Sequence, residues 1–140
     1  MNFISPLGDW ALVPFIRWDL IEKNSTAQNP NQFVRVSSDS APEGTIATRF
    51  VAPPDWGWQP GPVPAGAILI IRPFKATHIG QIVLISSHNY PLQLATLSPD
   101  ALTLASSNYL DNGNKLLIKY SEVTFIGEVV EWRLTSQNFC

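Results

Sequence analysis

A continuous apolar run, AILII, occupies residues 67–71 near the middle of the chain. It is too short for a typical buried helix, and Arg72 and Pro73 close it at once, so it predicts a strand that is buried on both faces. The Pro-Ala-Gly sequence before it predicts the turn that begins this strand. A second run of the same kind, QIVLI, follows at residues 81–85. We expect these two buried strands to form the centre of a β core.

Residues 32–37 and 90–97 alternate apolar and polar residues and predict further strands, and residues 45–51, 115–120 and 123–134 are additional candidate strands. The last of them is predicted as a strand pair or as one strand that bends at Gly127. Residues 102–104 predict only a brief strand, and residues 106–114 predict a loop. Twelve prolines and eight glycines, with few windows that favour helix, also argue for strands and irregular loops. The sequence therefore predicts a mainly β protein.

The N-terminal part differs from the rest, and we expect an arm and loop at residues 1–31 ahead of one β domain at residues 32–140. Within the arm, residues 10–18 are apolar and aromatic, but Pro14 interrupts them. This stretch predicts an extended segment, rather than a helix, that packs on the domain or on a partner. Four tryptophans are candidates for partner contacts, with core packing as the alternative role: Trp10, Trp18, Trp56 and Trp58.

Composition excludes several classes of function. The net charge is −2 and the nine basic residues are scattered, so direct binding of nucleic acid by this chain alone is rejected. No window is long enough to span a bilayer, and the single Cys140 cannot form an internal disulfide, so a cytoplasmic location is expected. His78 and His88 lack other ligands at metal-binding spacing, and no phosphate-binding glycine loop is present, so neither a metal nor a cofactor is expected.

Four segments in order resemble a known family. They are PAGAILII at residues 64–71, GQIV at 80–83, the strand at 92–97 and FIGEVV at 125–130. This pattern resembles the C-terminal domain of LexA, UmuD and lambda-type phage repressors, and residues 13–18 resemble the lead-in to that family's cleavage segment. The resemblance implies a compact β domain of twisted, mostly antiparallel sheets with an extended N-terminal arm.

The family's chemistry is self-cleavage by a serine that a neutral, desolvated lysine activates. By the resemblance, the lysine position falls on Gln93 or Leu94, and no lysine or arginine lies between Lys75 and Lys115. The serine position falls on Ser40 in one alignment, and on Trp56 or Gly57 in the other. The arm after Trp18 also lacks the Ala-Gly or Cys-Gly pair that the family cuts.

These departures predict that the chain has lost self-cleavage and is not an enzyme. We expect a protein-interaction and dimerisation module in phage or SOS-type regulation, acting as an accessory to a transcription regulator or as the C-terminal domain of a repressor. Its expected partners are a second copy and another regulatory protein or a polymerase subunit. Two alternatives stay open: an active serine peptidase with Ser40 as nucleophile, and a UmuD-like accessory subunit of a translesion DNA polymerase.

Overall fold

A computed structural model describes residues 9–21, 32–51, 63–73, 80–88, 92–98, 103–111 and 114–134. Within these residues it contains nine strands, one short helix and two short 3-10 turns at Ser38–Ser40 and Tyr120–Glu122. In chain order the strands and helix are β1 (Trp10–Pro14), α1 (Trp18–Ile21), β2 (Phe33–Ser37), β3 (Ile46–Arg49), β4 (Ile68–Arg72), β5 (Ile82–Ser86), β6 (Gln93–Leu97), β7 (Thr103–Asp111), β8 (Asn114–Lys119) and β9 (Thr124–Arg133).

Seven of these strands form one large sheet in the order β3-β4-β9-β5-β6-β7-β8, and β1 and β2 form a separate two-stranded ribbon. Every pair of neighbouring strands is antiparallel. One parallel bridge between Phe15 and Ala47 joins the end of the ribbon to β3, at the edge of the large sheet. The predicted mainly β class with antiparallel pairing is therefore confirmed.

The apolar run at residues 67–71 forms β4, as predicted. The strand follows a turn in which the Ala67 N–H donates to the Pro64 carbonyl at 3.2 Å and Gly66 has a φ of 89°. A turn of this kind needs a positive φ at its third residue, which glycine adopts without a steric penalty. The four isoleucine and leucine side chains of β4 are at most 2% exposed. Both faces of the strand are thus buried.

Three clusters of buried side chains divide the interior. The main cluster lies on one face of the large sheet, the ribbon cluster lies between the other face and the ribbon, and the far cluster lies towards β8. β4 contributes Leu69 and Ile71 to the main cluster and Ile68 and Ile70 to the ribbon cluster. The far cluster is formed by Val83, Ile85, Ala95, Leu104, Leu116 and Ile118. The sheet is therefore covered on both faces near its centre.

The two strands predicted as the centre do not pair with each other, because β9 lies between them. β9 is one continuous strand, which agrees with the bent-strand alternative, and its register shifts once against β4 and once against β5. Gly127 lies in this region. A Cβ atom there would come within 2.5 Å of the Arg72 carbonyl oxygen and of Ile71 Cγ2. The close packing of β4 on β9 therefore requires glycine at this position.

The loop predicted at residues 106–114 is wrong, because β7 extends to Asp111 and β8 begins at Asn114. Ser106 pairs with Ala95 of β6, and after a register shift Leu110 and Asp111 pair with β8, so strand pairing holds both ends of the β7 part of this polar segment. Its buried Ser106 hydroxyl donates a hydrogen bond to Gln93 Oε1 at 2.6 Å. Tertiary pairing thus outweighs the weak strand propensity of a serine-rich stretch.

The N-terminal arm is extended only in part. β1 is a strand, as an extended segment requires, but Trp18–Ile21 forms a short helix that the sequence did not predict. At its start the Arg17 guanidinium donates to the Asp19 carboxylate at 2.6 Å, and this hydrogen bond raises the pKa of Arg17. Val13, Ile16 and Ile21 are each at most 5% exposed. The arm therefore packs on the protein's own core.

Candidate partner-binding surface

The ribbon divides its side chains between the interior and the surface. Val13, Val34 and Val36 are buried in the ribbon cluster. The alternate positions form the opposite side, which we term the outer ribbon face: Trp10, Leu12 and Pro14 of β1, with Phe33, Arg35 and Ser37 of β2. Trp10 is 48% exposed and Leu12 is 59% exposed. Two large apolar side chains thus adjoin each other on one exposed face, which makes this face a candidate for protein contact.

A cation–π contact joins β1 and β2 on this face. The Arg35 guanidinium carbon lies 5.8 Å from the centre of the Trp10 ring. Arg35 is directly opposite Leu12 in the strand register, so Trp10 is its diagonal neighbour. Among the described residues no carboxylate forms an ion pair with Arg35. The face thus combines an aromatic surface, an aliphatic side chain and one positive charge available to a ligand.

β2 also has an edge that no described strand covers. The Ser38 N–H donates to the Asp9 carbonyl at 3.0 Å, and the Phe15 N–H donates to the Gln32 carbonyl at 3.0 Å. In an antiparallel pair, hydrogen-bonded and non-hydrogen-bonded residues alternate, so the even-numbered residues of β2 bond to β1.

The odd-numbered residues of β2, which are Phe33, Arg35 and Ser37, therefore direct their backbone N–H and C=O groups away from β1. No strand pairs with that edge within the described part of the chain. The same three residues place their side chains on the outer ribbon face. Backbone hydrogen-bonding groups and an exposed apolar face thus adjoin each other.

The tryptophans predicted to contact partners have different environments. Trp10 is on the outer ribbon face, whereas Trp18 is half-buried with its ring 5.3 Å from that of Phe50, against the main cluster. Trp56 and Trp58 lie outside the described residues. Sequence reasoning did not single out Leu12 or Arg35. The alternation of residues in β1 and β2 identifies the exposed face only when the pairing of the two strands is known.

The positions that resemble the family's catalytic residues and that the structure describes lie on different elements. Gln93 is buried and accepts the hydrogen bond from Ser106, and Leu94 is buried in the main cluster. Ser40 ends the 3-10 turn after β2, so its backbone adjoins the ribbon, while Gln93 and Leu94 are in β6 of the large sheet. The side chain of Ser40 and all of Gly57 lie outside what the structure describes.

An ion pair between a half-buried arginine and a buried glutamate is a feature that the sequence analysis missed. Glu128 of β9 has no solvent exposure, and Arg72 Nε donates to its Oε1 at 2.7 Å. The other carboxylate oxygen, Oε2, has no hydrogen-bond partner among the described residues. A buried carboxylate is costly without a cation beside it. The signal was available, since Glu128 is the single charged residue in the apolar segment FIGEVV.

Two small depressions are lined by described residues. A cleft of about 280 Å³ is lined by Ile21, Ile46, Ile71 and Ile126, with Arg72 also in its wall. This volume is just below the usual range for small-molecule sites, which begins at about 300 Å³. A polar notch of about 150 Å³ includes Ser86, Ser87, His88 and Glu122. His88 is exposed, so the notch lacks the dry environment that activates a nucleophile.

No three metal-binding side chains come together in the residues that the structure describes. No helix in the described ranges has the length and apolar character needed to cross a membrane. A scan against protein-family models and a search of curated proteins found no match to the chain. Among the features described, the outer ribbon face is the strongest candidate for function.

Proposed function

We propose that this protein is a noncatalytic protein-interaction module, with a LexA/UmuD-like β domain that acts in phage or SOS-type regulation in the cytoplasm. The observation that carries the proposal is the exposure of Trp10 and Leu12 beside Arg35 on the outer ribbon face. Aromatic and arginine side chains together are enriched among the residues that dominate protein-binding energies. The mainly β fold is compatible with the family resemblance.

The residues at the two candidate base positions support a noncatalytic role. The family's serine needs an amine to accept its proton, and the candidate positions carry an amide and an alkyl group. Gln93 is already hydrogen-bonded to Ser106 in the interior. Incubation of the purified chain at alkaline pH is expected to leave one intact band. A defined cut that disappears in Ser40→Ala would instead support the peptidase alternative.

The interaction role is tested by affinity capture from the native host, followed by identification of the bound proteins. We expect Trp10→Ala with Leu12→Ala to remove the bound regulator or polymerase subunit. The matched control is Leu117→Ala, because Leu117 is 60% exposed on β8, far along the sheet from the ribbon. If the double variant captures the same proteins in the same amounts as the wild type, the proposed surface is wrong.

Self-association is the second part of the proposal, because members of the family that this chain resembles dimerise through this domain. Sedimentation of the purified chain over a range of concentrations is expected to show a monomer–dimer equilibrium. A monomer at all concentrations would contradict the dimer, while the capture experiment would still test the interaction with another protein.

A further inference from the structure

We infer that β2 binds an extended segment of a partner protein by strand addition at the edge that no described strand covers, with an acidic side chain of the partner beside Arg35. This inference rests on the proposed interaction function and names the partner's chemistry and its mode of binding.

The backbone supplies the first part of the argument. Phe33, Arg35 and Ser37 direct their N–H and C=O groups away from β1, as the Ser38–Asp9 and Phe15–Gln32 hydrogen bonds require. An added strand pairs with groups of this kind, and main-chain hydrogen bonds then supply affinity while alternate side chains supply specificity. β2 contains no proline, so each of its residues keeps a backbone donor, and Arg35 is its single charged side chain.

The side chains supply the second part. A strand added beside β2 would place alternate side chains on the outer ribbon face, next to Phe33 and Arg35. The Arg35 guanidinium is held near the Trp10 ring, and no carboxylate in the described ranges pairs with it. On the added strand, a carboxylate directly opposite Arg35 is favourable, and a cation at that position is unfavourable. The charge on this face therefore selects an acidic residue in the partner.

The same charge disfavours a second copy of the chain at this edge. Antiparallel self-pairing of β2 about its centre would place Arg35 opposite Arg35 of the other copy, because Arg35 is the middle residue of Phe33–Ser37. A register shifted by two residues would avoid that repulsion but would lose backbone hydrogen bonds. A segment of a different protein, with an acidic residue at the opposing position, fits better.

The first experiment measures charge preference with defined probes. The probes are two labelled nine-residue peptides of alternating threonine and valine, one with glutamate and one with lysine at the centre. We expect the full chain to bind the glutamate peptide about tenfold more tightly, and Arg35→Glu to reverse that order. Lys119→Glu, at the exposed position on edge strand β8, is the matched control and should keep the wild-type order.

The second experiment locates the bound peptide by amide hydrogen exchange. In the free chain we expect fast exchange at Phe33, Arg35 and Ser37 and slow exchange at Val34 and Val36. Saturation with the glutamate peptide should slow exchange at the first three amides. The inference is overturned if these amides are already protected in the free chain, if the bound peptide leaves them unprotected, or if neither peptide binds.

The two proposals fail in different ways. If Arg35→Glu does not reverse the peptide preference but Trp10→Ala with Leu12→Ala still removes the captured protein, strand addition beside an acid is wrong and the interaction function stands. If the double variant leaves capture unchanged, the outer ribbon face is not the surface that carries the proposed function, whatever the peptides show. Unchanged thermal unfolding of Arg35→Glu establishes that a lost preference is not a loss of fold.

Discussion

β4 and β1 are both five-residue strands with four apolar residues or more, yet the protein surrounds them differently. β4 has a neighbouring strand on each side and buried side chains on both faces. β1 has buried side chains on one face only, and on the other face Trp10 and Leu12 meet water. Apolar composition alone therefore does not distinguish a strand that is buried on both faces from one that exposes apolar side chains on one face. What covers the second face distinguishes them.

The comparison predicts its largest effect at Leu69, which is fully buried in the main cluster. Leu69→Ala removes buried methyl groups and leaves a cavity, so we expect the free energy of unfolding to fall by about 4 kcal/mol. Urea-induced unfolding followed by fluorescence measures this change. A loss below about 1 kcal/mol would contradict the burial of both faces of β4.

The next effect is expected at the partly buried ion pair between Arg72 of β4 and Glu128 of β9. Arg72→Met leaves the fully buried Glu128 carboxylate without its cation, at a cost of about 3 kcal/mol. The double variant Arg72→Met with Glu128→Met should regain most of that loss, because it removes the unpaired charge as well. Equal stability of Arg72→Met and the double variant in urea would contradict the predicted cost of the unpaired Glu128 carboxylate.

A smaller loss is expected where β9 approaches β4 most closely. Gly127→Ala would place its Cβ against the Arg72 carbonyl and the Ile71 side chain, and relieving that overlap should cost about 2 kcal/mol. Thermal unfolding by circular dichroism is a suitable measurement. An unchanged melting temperature would mean that β4 and β9 are farther apart than described.

The smallest effect is expected on the outer ribbon face and completes the comparison with Leu69. Leu12→Ala removes the same atoms from a side chain that is 59% exposed, so the free energy of unfolding should change by about 0.5 kcal/mol or less. Urea unfolding under the conditions used for Leu69→Ala gives a direct comparison. A large loss would show that another part of the protein covers Leu12, and would remove it from the candidate surface.

Local patterns predicted the strands better than their arrangement. The runs at residues 67–71 and 81–85 became β4 and β5 because continuous apolar residues need cover on both faces. Their separation by β9 could not be predicted, since strand order depends on contacts between distant parts of the chain. The predicted loop at residues 106–114 failed for the same reason: pairing with β6 and β8 stabilises β7 despite its serines.

The candidate surface was predicted only in part. Trp10 was expected to contact partners from its chemistry, and it is exposed, but Trp18 is half-buried beside Phe50. Nothing local separates these two tryptophans, because both are in the same apolar stretch. Leu12 and Arg35 became candidates only when the register of β1 against β2 placed them opposite each other. The exposure of a side chain depends on its tertiary contacts, and the local sequence pattern does not determine those contacts.

The position of β9 also has a consequence for biosynthesis. β9 follows all the other described strands in the sequence, yet it lies between β4 and β5 in the sheet. When only the residues up to β8 have left the ribosome, β4 and β5 each lack their shared neighbour β9. The edges of both strands that will pair with β9 are then unpaired. Such exposed strand edges favour aggregation, so a chaperone that shields unfinished sheets should matter most for this protein during that interval.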